Sequence, residues 1–161
     1  MALTAFQRAV AFVLHREGPP SNDPFDKGGE TVHGISRAAW PDLTPWPPTL
    51  EQAIDLYRTQ YWDRINGDLL PPGIAIVAFD AAVNQGLRTA ARMLQRAARV
   101  TADGVIGPVT IAAVGANPDG VLERPIAERL MKYTATDNFT RYGRGWLART
   151  AGALIAATKG E

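Results

Sequence analysis

The residues best suited to chemistry lie in one segment, Glu17 to Ile35, which reads EGPPSNDPFDKGGETVHGI. A carboxylic acid, Glu17, precedes a loop that carries Asp26, the pair Gly28-Gly29, Thr31, His33 and Gly34. Glycoside hydrolysis needs a protonated carboxyl beside the glycosidic oxygen. It also needs a group on the opposite face of the sugar that stabilises positive charge or orients water. A glutamic acid held against an apolar wall has a raised pKa and keeps its proton near neutrality. Glycines let backbone approach a flat ring closely and permit positive φ. Each residue also has a plainer reading. A Glu that ends a helix beside Gly is commonly a solvated surface residue, and Asp26 can cap an Asx-turn. Thr31 can hold an attacking water or simply satisfy loop backbone. His33 can line a cleft, titrating near its ordinary value of about 6.5, or be a structural histidine.

Other side chains suit a polar, ring-shaped ligand. Trp40, Trp46, Tyr61 and Trp62 can stack on sugar faces, or can pack between helices. Asn84 and Gln85 can hydrogen-bond N-acetyl groups, or can serve a helix C-terminus. Arg141, Arg144 and Arg149 can meet anionic groups, or can form a solvated basic face. The turn Asp103–Pro108 reads as structural. His15 and His33 make a poor zinc set, and Asp23, Asp26 and Glu30 lack the spacing of a calcium loop, so no metal is expected.

These residues must be positioned by helices. Phe6, Ala9, Val10 and Val13 recur at helical spacing behind a Thr4 N-cap and predict a helix from Thr4 to Glu17. Gly18-Pro19-Pro20 stops it. The next residues, to about 36, predict a structured loop with short strands near Thr31–Ile35. Thr49-Leu50-Glu51-Gln52 reads as a capping box that opens a helix running to about Asn66. An almost wholly apolar helix, Ile74–Gln85, is expected at the centre of the molecule. Helices are further predicted over Thr89–Val100, Pro108–Val114, Asp119–Ala135 and Tyr142–Thr158. The sum is an all-α, mainly helical, single compact domain with a short irregular or stranded Gly-rich loop after the first helix.

Composition narrows the partners. The chain has 161 residues, 46% apolar and 20% charged, which fits one folded domain with a real core. Its 17 Lys and Arg nearly balance 16 Asp and Glu, so nothing pushes it toward nucleic acid. There are no cysteines, which removes disulfides and thiolate metal sites. The first residues carry Arg8 inside the only apolar run, which argues against a classical signal peptide. No stretch approaches the roughly 20 apolar residues of a spanning helix, so stable membrane insertion is not expected.

The segment from Glu17 to Ile35 resembles the signature of the family-108 glycoside hydrolases, with Glu17, Asp26, Gly28, Gly29, Thr31, Gly34 and Ile35 on pattern. Tyr61-Trp62 is similar to the family's Tyr-Trp, and Asp80, Asn84 and Gly86 to its Asp–x3–Asn–x–Gly. Leu94-Gln95, then Asp103-Gly104-x-Ile106-Gly107-Pro108-x-Thr110, and Gly145-Trp146-Leu147-x-Arg149 continue the likeness over nearly the whole chain. Pro19-Pro20 and His33 depart from the pattern. Thr31 falls one residue short of the Glu–x8–Asp–x5–Thr spacing of phage lysozymes.

The resemblance implies a lysozyme-like fold, with residues 1–88 as the catalytic region. Residues 89–161 would be a C-terminal helical region resembling a peptidoglycan-binding part, packed on the first as one unit. It implies an N-acetylmuramidase that cleaves the β-1,4 bond of bacterial peptidoglycan without a cofactor. Glu17 would be the acid, Asp26 and Thr31 would assist, and His33, Tyr61, Trp62, Asn84 and Gln85 would bind substrate. The setting implied is synthesis in the cytoplasm and action in the periplasm or on the wall, as a monomer, after release through a holin or other export route. A lytic transglycosylase on the same bond and a non-catalytic wall-binding module are the rival readings. An amidase or peptidase would need zinc ligands or a cysteine nucleophile.

Overall fold

The computed structural model describes residues 2–17 and 30–158, with Glu17 described by its backbone as the last residue of a helix. Seven α-helices and one two-stranded hairpin are present among the described residues. Helix α1 (Ala5–Glu17) opens with a reciprocal cap. The Gln7 amide donates to Thr4 Oγ1 at 3.1 Å, and the Gln7 side chain accepts from the Thr4 amide at 2.9 Å. Its inward stripe is Ala9, Val10 and Val13, all buried.

Strands β1 (Thr31–Val32) and β2 (Ile35–Ser36) pair antiparallel, with Thr31 opposite Ser36 and Val32 opposite Ile35. His33 and Gly34 form the turn with φ of 53° and 75°. Two consecutive positive φ values are the signature of a type I′ hairpin, whose twist matches that of the strands. His33 therefore tolerates a left-handed backbone at the tip of the hairpin.

Helix α2 (Leu50–Tyr57) begins with the expected box, in which Thr49 and Gln52 each bond the other's backbone. The helix does not continue as an α-helix to Asn66. From Arg58 to Trp62 it widens to π geometry, and Asp63–Ile65 follows as a tight 3-10 turn. The reason lies in the apolar spacing. Ala53 and Tyr57 are four residues apart and share a face, but Trp62 comes five after Tyr57. In an α-helix that step would turn the indole about 140° away from the core. The i to i+5 period of a π turn brings it back, and Ala53, Tyr57 and Trp62 are all buried.

Helix α3 (Pro72–Gln85) is the central element. It packs against α1, α4 (Leu87–Ala97), α6 (Pro118–Thr134) and α7 (Phe139–Thr158). Every residue from Ile74 to Ala82 is buried, which explains the absence of a polar face. Helix α5 (Pro108–Ala116) lies between α4 and α6 in sequence and packs on α6. The main core runs without a break from α1 to Val121 on α6, and a smaller cluster of Val77, Ile126, Ala153 and Ala157 closes the other side of α3. No described helix is long and apolar enough to cross a membrane.

Candidate active site

Helix α1 delivers Glu17. Its outer face lies along α7 with opposite direction: the Arg8 guanidinium donates to the Ala156 carbonyl at 2.8 Å. Two turns further on, the Arg16 guanidinium lies so close over Gly152 that a Cβ there would collide with it. The described chain resumes at Glu30 and enters the hairpin at Thr31. The hairpin is fixed from behind, where the Tyr57 hydroxyl donates to the His33 carbonyl at 3.1 Å. Below it, Trp46 Nε1 donates to Glu30 at 2.7 Å, and the Arg37 guanidinium lies 5.0 Å above the Trp46 ring.

Beneath this region α3, α6 and α7 share a buried ionic cluster. Asp80 is wholly buried, and both of its oxygens face guanidinium groups. Arg129 NH2 stands 2.7 Å from Oδ2, and Arg149 Nε donates to Oδ1 at 2.7 Å. Arg129 is itself completely buried. Tyr133 extends the cluster, donating its hydroxyl to Asn84 Oδ1 while its ring stacks on Trp146 at 4.9 Å. Arg129 Nε and NH1 make no hydrogen bond, and buried charge without full pairing costs free energy.

The predicted site residues separate into groups. Thr31, His33 and Tyr61 are half-buried, on the hairpin and the π segment. Asn84 and Gln85 end α3. Asn84 is exposed and tied to Tyr133. The Gln85 amide is buried at both its nitrogen and oxygen yet makes no hydrogen bond. Trp62 is a correction. It is 0% exposed, its ring meets Phe6 and Phe79 edge-on, and Nε1 donates to Asp68 at 2.9 Å, so it cannot stack on a ligand. The π widening that buries it is the physical cause. Trp40 and Trp46 are partly buried against the core. Asp26, with Gly28 and Gly29, lies outside the described residues, and Glu17 enters as backbone. No group of three or more His, Asp or Glu suited to a metal occurs among the described residues.

Sequence reasoning treated Arg149 as part of a basic face and gave Asp80, Arg129 and Tyr133 no role. Arg141 and Arg144 are indeed exposed, but Arg149 is turned inward on Asp80. The available signal was an acid, Asp80, in the middle of an otherwise apolar helix. Such a residue is almost always paired. The motif residue Gln95 also has a purpose. It is buried, and its side chain bonds Asp103 at 2.7 Å, the Val105 carbonyl at 2.9 Å and the Gly104 amide at 2.9 Å, which holds the 103–107 turn on α4.

Comparison with known proteins now adds to this geometry. The model of the family described as Glycosyl hydrolase 108 matches residues 10–86. No curated protein matches the chain. Among solved structures, SagA of Brucella abortus is 33% identical, with a TM-score of 0.84 over 94% of this chain and 92% of that one. The family match spans most of α1, the hairpin, α2 and α3, and the structural likeness covers 94% of the chain. The chain belongs to glycosyl hydrolase family 108 and is a glycoside hydrolase.

Proposed function

We propose that this hydrolase is an N-acetylmuramidase that cuts the β-1,4 bond between N-acetylmuramic acid and N-acetylglucosamine in bacterial peptidoglycan. The observation that carries the reading is local. A helix of the matched region ends on a glutamate, and the described chain resumes at a β-hairpin that begins with Thr31. Glu17 protonates the leaving oxygen. Asp26 stabilises the developing positive charge or orients water on the far face, with Thr31 assisting. Gln85 supports the reading from the other side, because a buried amide without partners costs about 1–3 kcal/mol unless a ligand uses it. An N-acetyl group offers both the acceptor and the donor that it needs. His33, Tyr61 and Asn84 complete the walls. The enzyme acts on the wall after release from the cytoplasm, by a holin or similar route, in lysis or wall remodelling.

The test is product analysis of purified wall digested with wild type and Glu17→Gln. Wild type should release muropeptides with reducing N-acetylmuramic acid ends. Glu17→Gln should fold and bind wall, yet lose about 10²–10⁴-fold in turnover, the usual worth of general acid catalysis. Anhydro ends in place of reducing ends would make the protein a transglycosylase. Undiminished turnover in Glu17→Gln would remove the assigned acid.

A further inference from the structure

Helix α4 shows a second feature that the hydrolytic site does not use. Its inner face is Ala90, Ala91, Met93, Leu94 and Ala97, all buried, and its outer face carries exposed Arg88, Arg92 and Arg96. Arg96 is neutralised by Glu128 at 2.6 Å. Arg88 and Arg92 are not neutralised. Their Nε atoms each lie 3.5 Å from the point where a Cβ on Gly104 would sit, so the two groups stand within about twice that distance of one another. Arg88 reaches only the Asp103 carbonyl oxygen, at 3.5 Å. Arg92 has no hydrogen-bond or ion-pair partner among the described residues. Asp103 is an acid close to Arg88, and its carboxylate is engaged within its own turn. It accepts from Gln95 Nε2 at 2.7 Å and from the Val105 amide at 2.9 Å.

This placement works against stability. Like charges held together repel. Arg88 also sits in the first turn of α4, where the helix dipole disfavours a cation. An arginine pair clasped over a glycine turn is suited to an anion, since each guanidinium offers a planar fork to a carboxylate. On the Gly104 turn beneath the pair opens a groove of about 340 Å³ lined by Val100, Thr101, Asp103, Val105, Pro108 and Val109, in which the Asp103 carboxylate is engaged by Gln95 and the Val105 amide. Val105 and Val109 are 68% and 72% exposed. A ligand that fits has carboxylates close to small apolar side chains.

We propose that Arg88 and Arg92, over the Gly104 turn, bind the carboxylates of the peptide stems of peptidoglycan, with their methyl-bearing residues against Val105 and Val109. The proposal rests on the reading that peptidoglycan is the substrate. The stems carry free carboxylates and alanine methyls, which is the chemistry this surface offers. A bilayer would instead call for bulky aromatic or leucine anchors, and the rim provides valines. Arg88 follows Gln85 by three residues, so a strand held at the end of α3 carries its stems toward α4. The arginine pair then selects stem-bearing glycan and lengthens its residence without touching the bond that breaks.

The experiment compares wild type, Arg88→Gln/Arg92→Gln and Arg88→Lys/Arg92→Lys on two substrates: intact sacculi, and glycan chains freed of stems by an amidase. On sacculi at low ionic strength the Gln pair should raise KM about five- to tenfold with kcat unchanged, as expected for two exposed charge contacts. The effect should fade in high salt, and the Lys pair should recover part of it. On stem-free glycan the Gln pair should differ from wild type less than twofold. Equal losses on both substrates, at an unchanged melting temperature, would overturn the proposal, as would no change on either. If wild type cleaves neither substrate, the proposed activity fails separately. Retention of the same proteins on sacculi then decides this surface: equal retention overturns it, and a loss confined to the Gln pair supports it. Loss of binding to phosphatidylglycerol vesicles, with retention on sacculi unchanged, would assign the pair to a bilayer and overturn it.

Discussion

Trp62 shows how one side chain can organise its neighbours. Its indole is enclosed by Phe6 and Phe79, at ring separations of 5.4 and 5.6 Å, and one face is pressed against Gly67 so tightly that any Cβ there would collide with it. The polar edge is satisfied by Asp68. Truncation to Ala should therefore cost about 3–5 kcal/mol, as buried aromatics do. Trp62→Phe keeps an aromatic ring but removes the hydrogen bond and leaves part of the indole's volume empty, so it should cost about 2–3 kcal/mol, less than the truncation to Ala. It also carries a pH signature. The Trp62 donor, more than Arg58, holds the Asp68 carboxyl below its ordinary 3.8, against the opposing effect of burial. A carboxyl depressed in the folded state contributes stability that is fully present above 3.8 and is lost as pH falls through the folded value. Thermal melts taken down through the acid range should show a steeper loss for wild type than for Trp62→Phe. Parallel curves would mean that Asp68 does not depend on the indole. Wall binding per folded molecule should be the same in both, because no face of the ring is free to stack.

At the scale of elements, much was legible because capping and periodicity are local. Thr4 and Thr49 each met their partner three residues on, and the mid-helix run Ile74–Gln85 announced its central position by lacking a polar face. The π segment was not legible. Nothing near Arg58–Trp62 forbids an α-helix; the wider turn is imposed by the core's need for Trp62, a tertiary demand. The site was legible in its residue types and partly in its surroundings. Thr31 and His33 lie on the hairpin and Asn84 and Gln85 at the end of α3, while the Asp80 cluster went unread because its partners lie 49 and 69 residues away. The 103–107 turn offers a test at this scale. It stays on α4 chiefly through the Gln95 amide, which bonds both sides of the turn. Gln95→Leu preserves volume and removes those bonds, leaving buried backbone groups unpaired, and should cost about 2–4 kcal/mol. Amide exchange should accelerate first at Gly104 and Val105. If it accelerated uniformly along α4 instead, the turn would be held by something other than Gln95.

The molecule as a whole is joined through α3. The helix packs against α1 on one side and against α4, α6 and α7 on the others, so the part that carries Glu17 and the part that carries the arginine pair share one core. Asp80 is the polar centre of that junction. It links α3 to Arg129 on α6 and to Arg149 on α7, and no water-exposed route lets those guanidiniums relax, since Arg129 is completely buried and Arg149 nearly so. Removing the charge by Asp80→Asn leaves the wholly buried Arg129 with a neutral partner. Breaking a buried pair in this way typically costs about 3–5 kcal/mol, because the remaining charge stays desolvated. Three elements lose a contact at once, so the loss should lower a single cooperative transition rather than release one helix. Denaturant melts followed by far-UV circular dichroism and by tryptophan fluorescence should stay superimposed while their common midpoint falls. The two signals separating would mean that α6 and α7 unfold as a unit of their own. Asp80→Leu gives the complementary outcome. It also strands the Arg129 guanidinium and supplies no acceptor at all, so it should be less stable than Asp80→Asn, and an Asp80→Leu/Arg129→Met pair should recover part of the difference by removing the cation that is wholly enclosed.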